Sequence, residues 1–137
     1  MAVTTNTAVL PQTPFSRAAV ATSAETAFHA PTNVVDLLTA ADNVNGARIT
    51  RLYALARAAI GTANNVQIYE RNGSTYTLID SALLSVHTPG ASVASAKADF
   101  GYTEDNPLYV RAGYGLAVAI GLAVANGVVV KAEGGLY

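Results

Sequence analysis

The stretch GLAVAIGLAVANGVVVKAEGG, residues 115–135, constrains this chain more than any other. Leu116, Val118, Ile120, Leu122 and Val124 alternate with Ala117, Ala119, Gly121, Ala123 and Ala125. A strand sends successive side chains to opposite faces, so the large residues gather on one face and the small ones on the other. A helix would spread both sets around its circumference, so strand prevails despite the alanines. The large face fits a core. The small face either stands as a flat outer surface or lets another layer or another chain approach closely. Asn126-Gly127 then offers a turn into VVVKAE.

A second signal lies in YERNGSTYTL, residues 69–78. Asn72-Gly73 tolerates the positive φ of a tight turn and sits between runs rich in Tyr, Thr, Ile and Leu, which predicts an antiparallel hairpin over 65–80. A two-residue turn centred there would set Tyr69 directly opposite Tyr76, and a three-residue turn would not. Further short segments read as strands: 17–23, 33–40, 47–58, 82–88, 92–100 and 107–113. The segment ARITRLYALARA (47–58) has helix-favouring residues but no helical stripe, and its alternation favours strand. With no long amphipathic helix, the expected fold is all-β, an antiparallel β-sandwich or jelly roll of about eight strands, a closed barrel being the other all-β solution. Residues 1–16 hold Thr, Asn, Gln, Pro11 and Pro14, which disfavour helix and central strand, so they read as an extended N-terminal arm before a domain at 17–137.

Composition removes several kinds of chemistry. The 137 residues contain no Cys, which excludes disulfides, thiolate metal sites and cysteine nucleophiles. A net charge of −1 and singly scattered Lys and Arg leave no basic field for nucleic acid. Charged residues make up only 12%, against the roughly 25% usual for globular domains, so much of the surface is neutral. Part of it is expected to lie against other chains, unless the alanines merely reflect genome composition. The apolar run Leu116–Val130 is too short for a membrane helix and is broken by Gly121, Asn126 and Gly127. MAVTTNTAVLPQTPFSR lacks the basic and apolar regions of a signal peptide, so a soluble chain is expected.

Candidate catalytic sets are thin. Asp99-Phe100-Gly101 lacks every companion of the kinase metal-binding triplet, and Gly113-Tyr114-Gly115 precedes a strand rather than a helix. His29 and His87 have no ligand partner at short spacing. Glu104 and Asp105 in YTEDNP could face a hard cation, but a polar turn closed by Pro107 explains them more simply. No catalytic, cofactor or metal residue is therefore assigned.

Three short motifs carry a resemblance: Gly46 to Ile49 (a Gly-x-Arg-Ile strand), the Gly73-Ser74 hairpin and the terminal Ala132 to Gly135. Over roughly residues 17–137 the chain resembles small structural proteins of tailed phages. Some β-sandwich or jelly-roll proteins of that size are cement or decoration proteins on the capsid exterior. The resemblance implies a non-enzymatic virion protein that binds the major capsid protein, bridges neighbouring capsomers and forms a homo-oligomer, with no nucleic-acid or membrane partner. Its expected contacts are Val9, Leu10, Pro11 and Phe15 on the arm, Arg71 and Asn72 at the hairpin, and Tyr137 at the end. The alternative is a tail, fibre or baseplate module that binds a host-surface glycan. An enzyme built on His29 or His87 comes third.

Overall fold

The computed structural model describes residues 10–137, and among these it contains nine strands and no helix. They are β1 (Thr13–Ala21), β2 (Val35–Leu38), β3 (Ala47–Ala56), β4 (Asn64–Asn72), β5 (Thr75–Leu84), β6 (Lys97–Asp99), β7 (Leu108–Val110), β8 (Gly115–Ile120) and β9 (Val128–Leu136). All strand pairs are antiparallel. One sheet has the order β1-β9-β3-β6, with β7 also on β3; the other has the order β2-β8-β4-β5. β6 and β7 lie end to end along β3, against Tyr53–Leu55 and Ala47–Ile49. Taken as one interrupted strand, they leave four positions per sheet in the strand order of a jelly-roll sandwich.

The inner faces follow from alternation. Ile49, Leu52, Val128 and Val130 from the first sheet meet Val66, Ile68, Leu116, Val118 and Ile120 from the second, all fully buried. The strand reading of 47–58 thus holds as β3, despite its helix-favouring composition. Register shifts once in β3, between Ile49 and Arg51, where Thr50 is an extra residue opposite β9. That bulge drives the Arg48 carbonyl toward Gly134, where a Cβ would overlap the oxygen. Only glycine fits, and the motifs Gly46 to Ile49 and Ala132 to Gly135 prove to be partners across this ladder.

Several boundaries differ from the sequence reading, among them 82–88, of which residues 82–84 continue β5 and the rest forms no strand of its own. The alternating run 116–125 leaves the sheet after Ile120, because the Asn64 side chain captures both backbone groups of Leu122. Its Nδ2 donates to Leu122 O at 2.8 Å, and its Oδ1 accepts from Leu122 N at 3.0 Å. Asn126-Gly127 therefore connects the two sheets rather than closing a hairpin. Pairing of β1 starts at Thr13, so the last four residues of the expected arm belong to the first sheet. In 92–100 only Lys97–Asp99 is strand; the small side chains before it bury too little to hold a ladder.

The small face of β8 is covered by the chain itself. Ala117 and Ala119 are fully buried beside Tyr69, Tyr76 and Val34. The segment 22–34 lies over this side, held by Glu25 N donating to Ile120 O at 2.8 Å and Gln67 Nε2 donating to Glu25 O at 3.0 Å. Glu25 is 4% exposed, and its carboxylate accepts from the backbone N–H of Ala27, Thr32 and Asn33 at 2.7–2.8 Å. The Asn33 N–H, opposed by burial, contributes most to holding its pKa below the ordinary 4.5.

Two stability tests follow from these contacts. Gly134→Ala is expected to lower unfolding free energy by about 3 kcal/mol or more, read from the urea midpoint. Gly61→Ala, with nothing within 4 Å of its Cβ, serves as the control and changes it by less than about 0.5 kcal/mol. Because the folded Glu25 binds its proton less tightly than the unfolded one, its contribution is complete above pH 4.5 and disappears as pH falls through the lower folded value. Glu25→Gln is expected to cost about 2 kcal/mol at pH 7, and the gap to the unmodified protein should close on acidification below pH 4.5.

Candidate functional site

Jelly-roll connectivity gathers the loops 39–46 and 111–114, the β4–β5 hairpin tip, the entry to β1 and the end of β9 at one end of the sandwich. At the hairpin, Asn72 pairs with Thr75, so Gly73 and Ser74 form the two-residue turn, with Gly73 at φ +63°. Glycine in the first central position suits a tight turn that continues the strand twist. The turn lies one residue later than Asn72-Gly73, so Tyr69 faces Leu78 and meets Tyr76 diagonally, edge to face, with centroids 6.5 Å apart.

Arg71 is committed to holding this tip. Its Nη1 donates to both carboxylate oxygens of Asp36 at 3.0 Å, and its Nε donates to Gly73 O at 2.8 Å. Asp36 is also the cause of the raised Arg71 pKa. Asn72, Gly73 and Ser74 remain as the exposed tip, with Asn72 Nδ2 donating to the Tyr114 hydroxyl at 3.3 Å. Beside it, the fully buried Asn43 donates from Nδ2 to Arg111 O at 2.7 Å and Tyr114 O at 2.9 Å, and its backbone carbonyl accepts from Gly113 N. The Arg111 guanidinium lies 5.1 Å from the Tyr114 ring centroid.

Tyr137 closes the same end, its N–H donating to Gly46 O at 3.0 Å and its ring lying against Gly46. Leu10 is 67% exposed nearby, and Pro11 packs on Gly135. Leu10, Pro11, Asn72 and Tyr137 thus form one rim. Phe15 does not join them. It sits in β1 opposite Gly134 and is 5% exposed, so its ring belongs to the core and is not a partner contact. Val9 lies outside the described residues. Val44, 69% exposed, was missed as a rim residue; its position as a lone apolar residue between Asn43 and Asn45 was the available signal.

Around the corner, on the outer face of the first sheet, is a groove of about 440 Å³ lined by Pro11, Ser16, Arg48, Thr50, Glu104 and Glu133, among others. Arg48 Nη2 donates to Glu104 O at 2.6 Å, and its buried Nε has no partner among the described residues. Glu104 thereby belongs to a tied surface turn, Thr103–Asn106, closed by reciprocal backbone bonds of 3.2 Å. His29 is in an exposed-side loop, while His87 Nε2 contacts Ala94 O and its backbone pairs with Ile60. Neither imidazole is bonded to a carboxylate among the described residues. No group of three His, Cys, Asp or Glu is placed there to hold a metal ion.

The rim depends on Asn43. Asn43→Ala is expected to cost about 2 kcal/mol, read from the urea midpoint, and to speed amide exchange at Gly113 and Tyr114 at least tenfold (about 1.4 kcal/mol). No protein-family model matches this chain, and a search of curated proteins finds no match.

Proposed function

We propose that this chain is a capsid decoration protein of a tailed phage. It binds the outer surface of the shell of major capsid protein and bridges neighbouring capsomers through the rim. The observation that carries the reading is the convergence of Leu10, Pro11, Asn72 and Tyr137, chosen from distant parts of the sequence, on one end of a rigid sandwich. Val44 adds an exposed apolar contact at the same end. The low charge and the phage-like motifs support the same reading, whereas the jelly roll alone selects no function. Many copies on a repeating lattice can reinforce a shell although each contact is weak, because bridging makes the second contact of each copy intramolecular.

Co-sedimentation with emptied heads of the parent phage tests this. The full chain should bind to saturation at a fixed ratio to the coat protein, and Val44→Asp, which leaves the core untouched, should weaken binding at least about tenfold. Absence of head binding at micromolar concentration would overturn the proposal. Equal binding by Val44→Asp would remove the rim as the contact.

A further inference from the structure

β5 is an edge strand of ten residues, bonded on one side to β4. Among the described residues, the one backbone group from Thr75 to Leu84 bonded outside that ladder is Ser81 N, which donates to the Asp80 carboxylate of its own strand. An open row of donors and acceptors of this length is a template for another strand, and sheet proteins usually guard such rows with Lys, Pro or brevity. The other edges are guarded in these ways. β2 has four residues, β6 and β7 have three each, and β1 carries Pro14 and the Arg17–Asp42 ion pair at 2.8 Å. β5 has neither Lys nor Pro, and its one departure from regularity is the extra residue Ile79. Leu78 and Ile79 are about a third exposed, and Leu83 and the following Val86 are 61% and 64% exposed.

We infer that β5 pairs with β5 of a second copy, antiparallel across a two-fold axis, joining two four-stranded sheets into one of eight strands. Charge selects this occupant. Asp80 is the sole charge on the strand, and it is already engaged by the Tyr102 hydroxyl at 2.7 Å and by Ser81 N at 2.8 Å. A partner strand bearing Lys or Arg would find no free acceptor side chain of opposite charge here, and one bearing Asp or Glu would find no cation. A neutral strand with exposed leucines meets neither penalty, and β5 itself is such a strand. A two-fold interface also closes, leaving no β5 edge free for further growth. This inference does not depend on capsid binding, because the pairing needs no other component.

Light scattering after size exclusion of the full chain, with no phage component present, should give twice the chain mass of 14.0 kDa. Outward-facing amides of β5 should be protected from hydrogen exchange at high concentration and lose that protection on dilution. Leu83→Lys sets like charges along the joint without touching the core, and should raise the dimer dissociation constant at least about tenfold with an unchanged circular dichroism spectrum. The control Val44→Lys, at the opposite end of the hairpin, should leave the dimer intact. A monomer, a dimer indifferent to Leu83→Lys, or an oligomer whose β5 amides exchange freely would each overturn the inference.

Discussion

The turn at 121–127 is the constraint on which the rest of this fold depends. It divides one apolar segment into β8 and β9, and each half becomes an inner strand of a different sheet. β8 pairs with β2 and β4, β9 with β1 and β3, so four other strands take their place from these two. The turn must bring the large faces of both halves together, and Val124, 7% exposed, packs into the core where they meet. The Asn64 amide imitates a strand neighbour for Leu122 and so releases the chain from the second sheet at the right residue.

This arrangement makes the fold non-local. β1 pairs with β9 across more than a hundred residues of sequence, as Thr13 with Leu136. Closing such loops costs conformational entropy before any contact compensates, so the hairpin β4–β5 is the one adjacent strand pair that can form early. The tight fit of Gly134 beneath the β3 bulge forms only when the chain end arrives. The segments Gly46 to Ile49 and Ala132 to Gly135 are therefore tied to each other mechanically, whatever the surface does.

The sheets differ in what lies outside them. Over the second sheet, segment 22–34 and Glu25 exclude water from Ala117, Ala119 and Tyr69, and burial raises the Tyr69 pKa, with the Glu25 charge adding to it. The outer face of the first sheet is charged: Arg51 and Lys131 share Glu133, while Arg51 and Lys97 each lie 4.6 Å from the Tyr53 ring centroid. Most of the charges of this chain lie there and along the loop end, which leaves Asp80 as the one charged residue on β5.

Much of this was legible beforehand. Alternation in 47–58 and 116–125 identified strands against the pull of alanine and arginine, the second only as far as Ile120, and Gly73 marked the hairpin. What alternation could not reveal is what covers a face. Ala117 and Ala119 invited a foreign layer, and the chain supplied its own from residues 22–34. Phe15 looked like part of a free arm, yet pairing of β1 with β9 sets it opposite Gly134 and buries it in the core. The rim, too, depends on strand order, since Asn72, Val44 and Tyr137 share no local pattern. Side-chain period is a property of neighbouring residues, so the sequence by itself determined the strands and their faces. Which strands pair, and what closes over each face, is settled by contacts between residues tens of positions apart, and only the tertiary structure decided those.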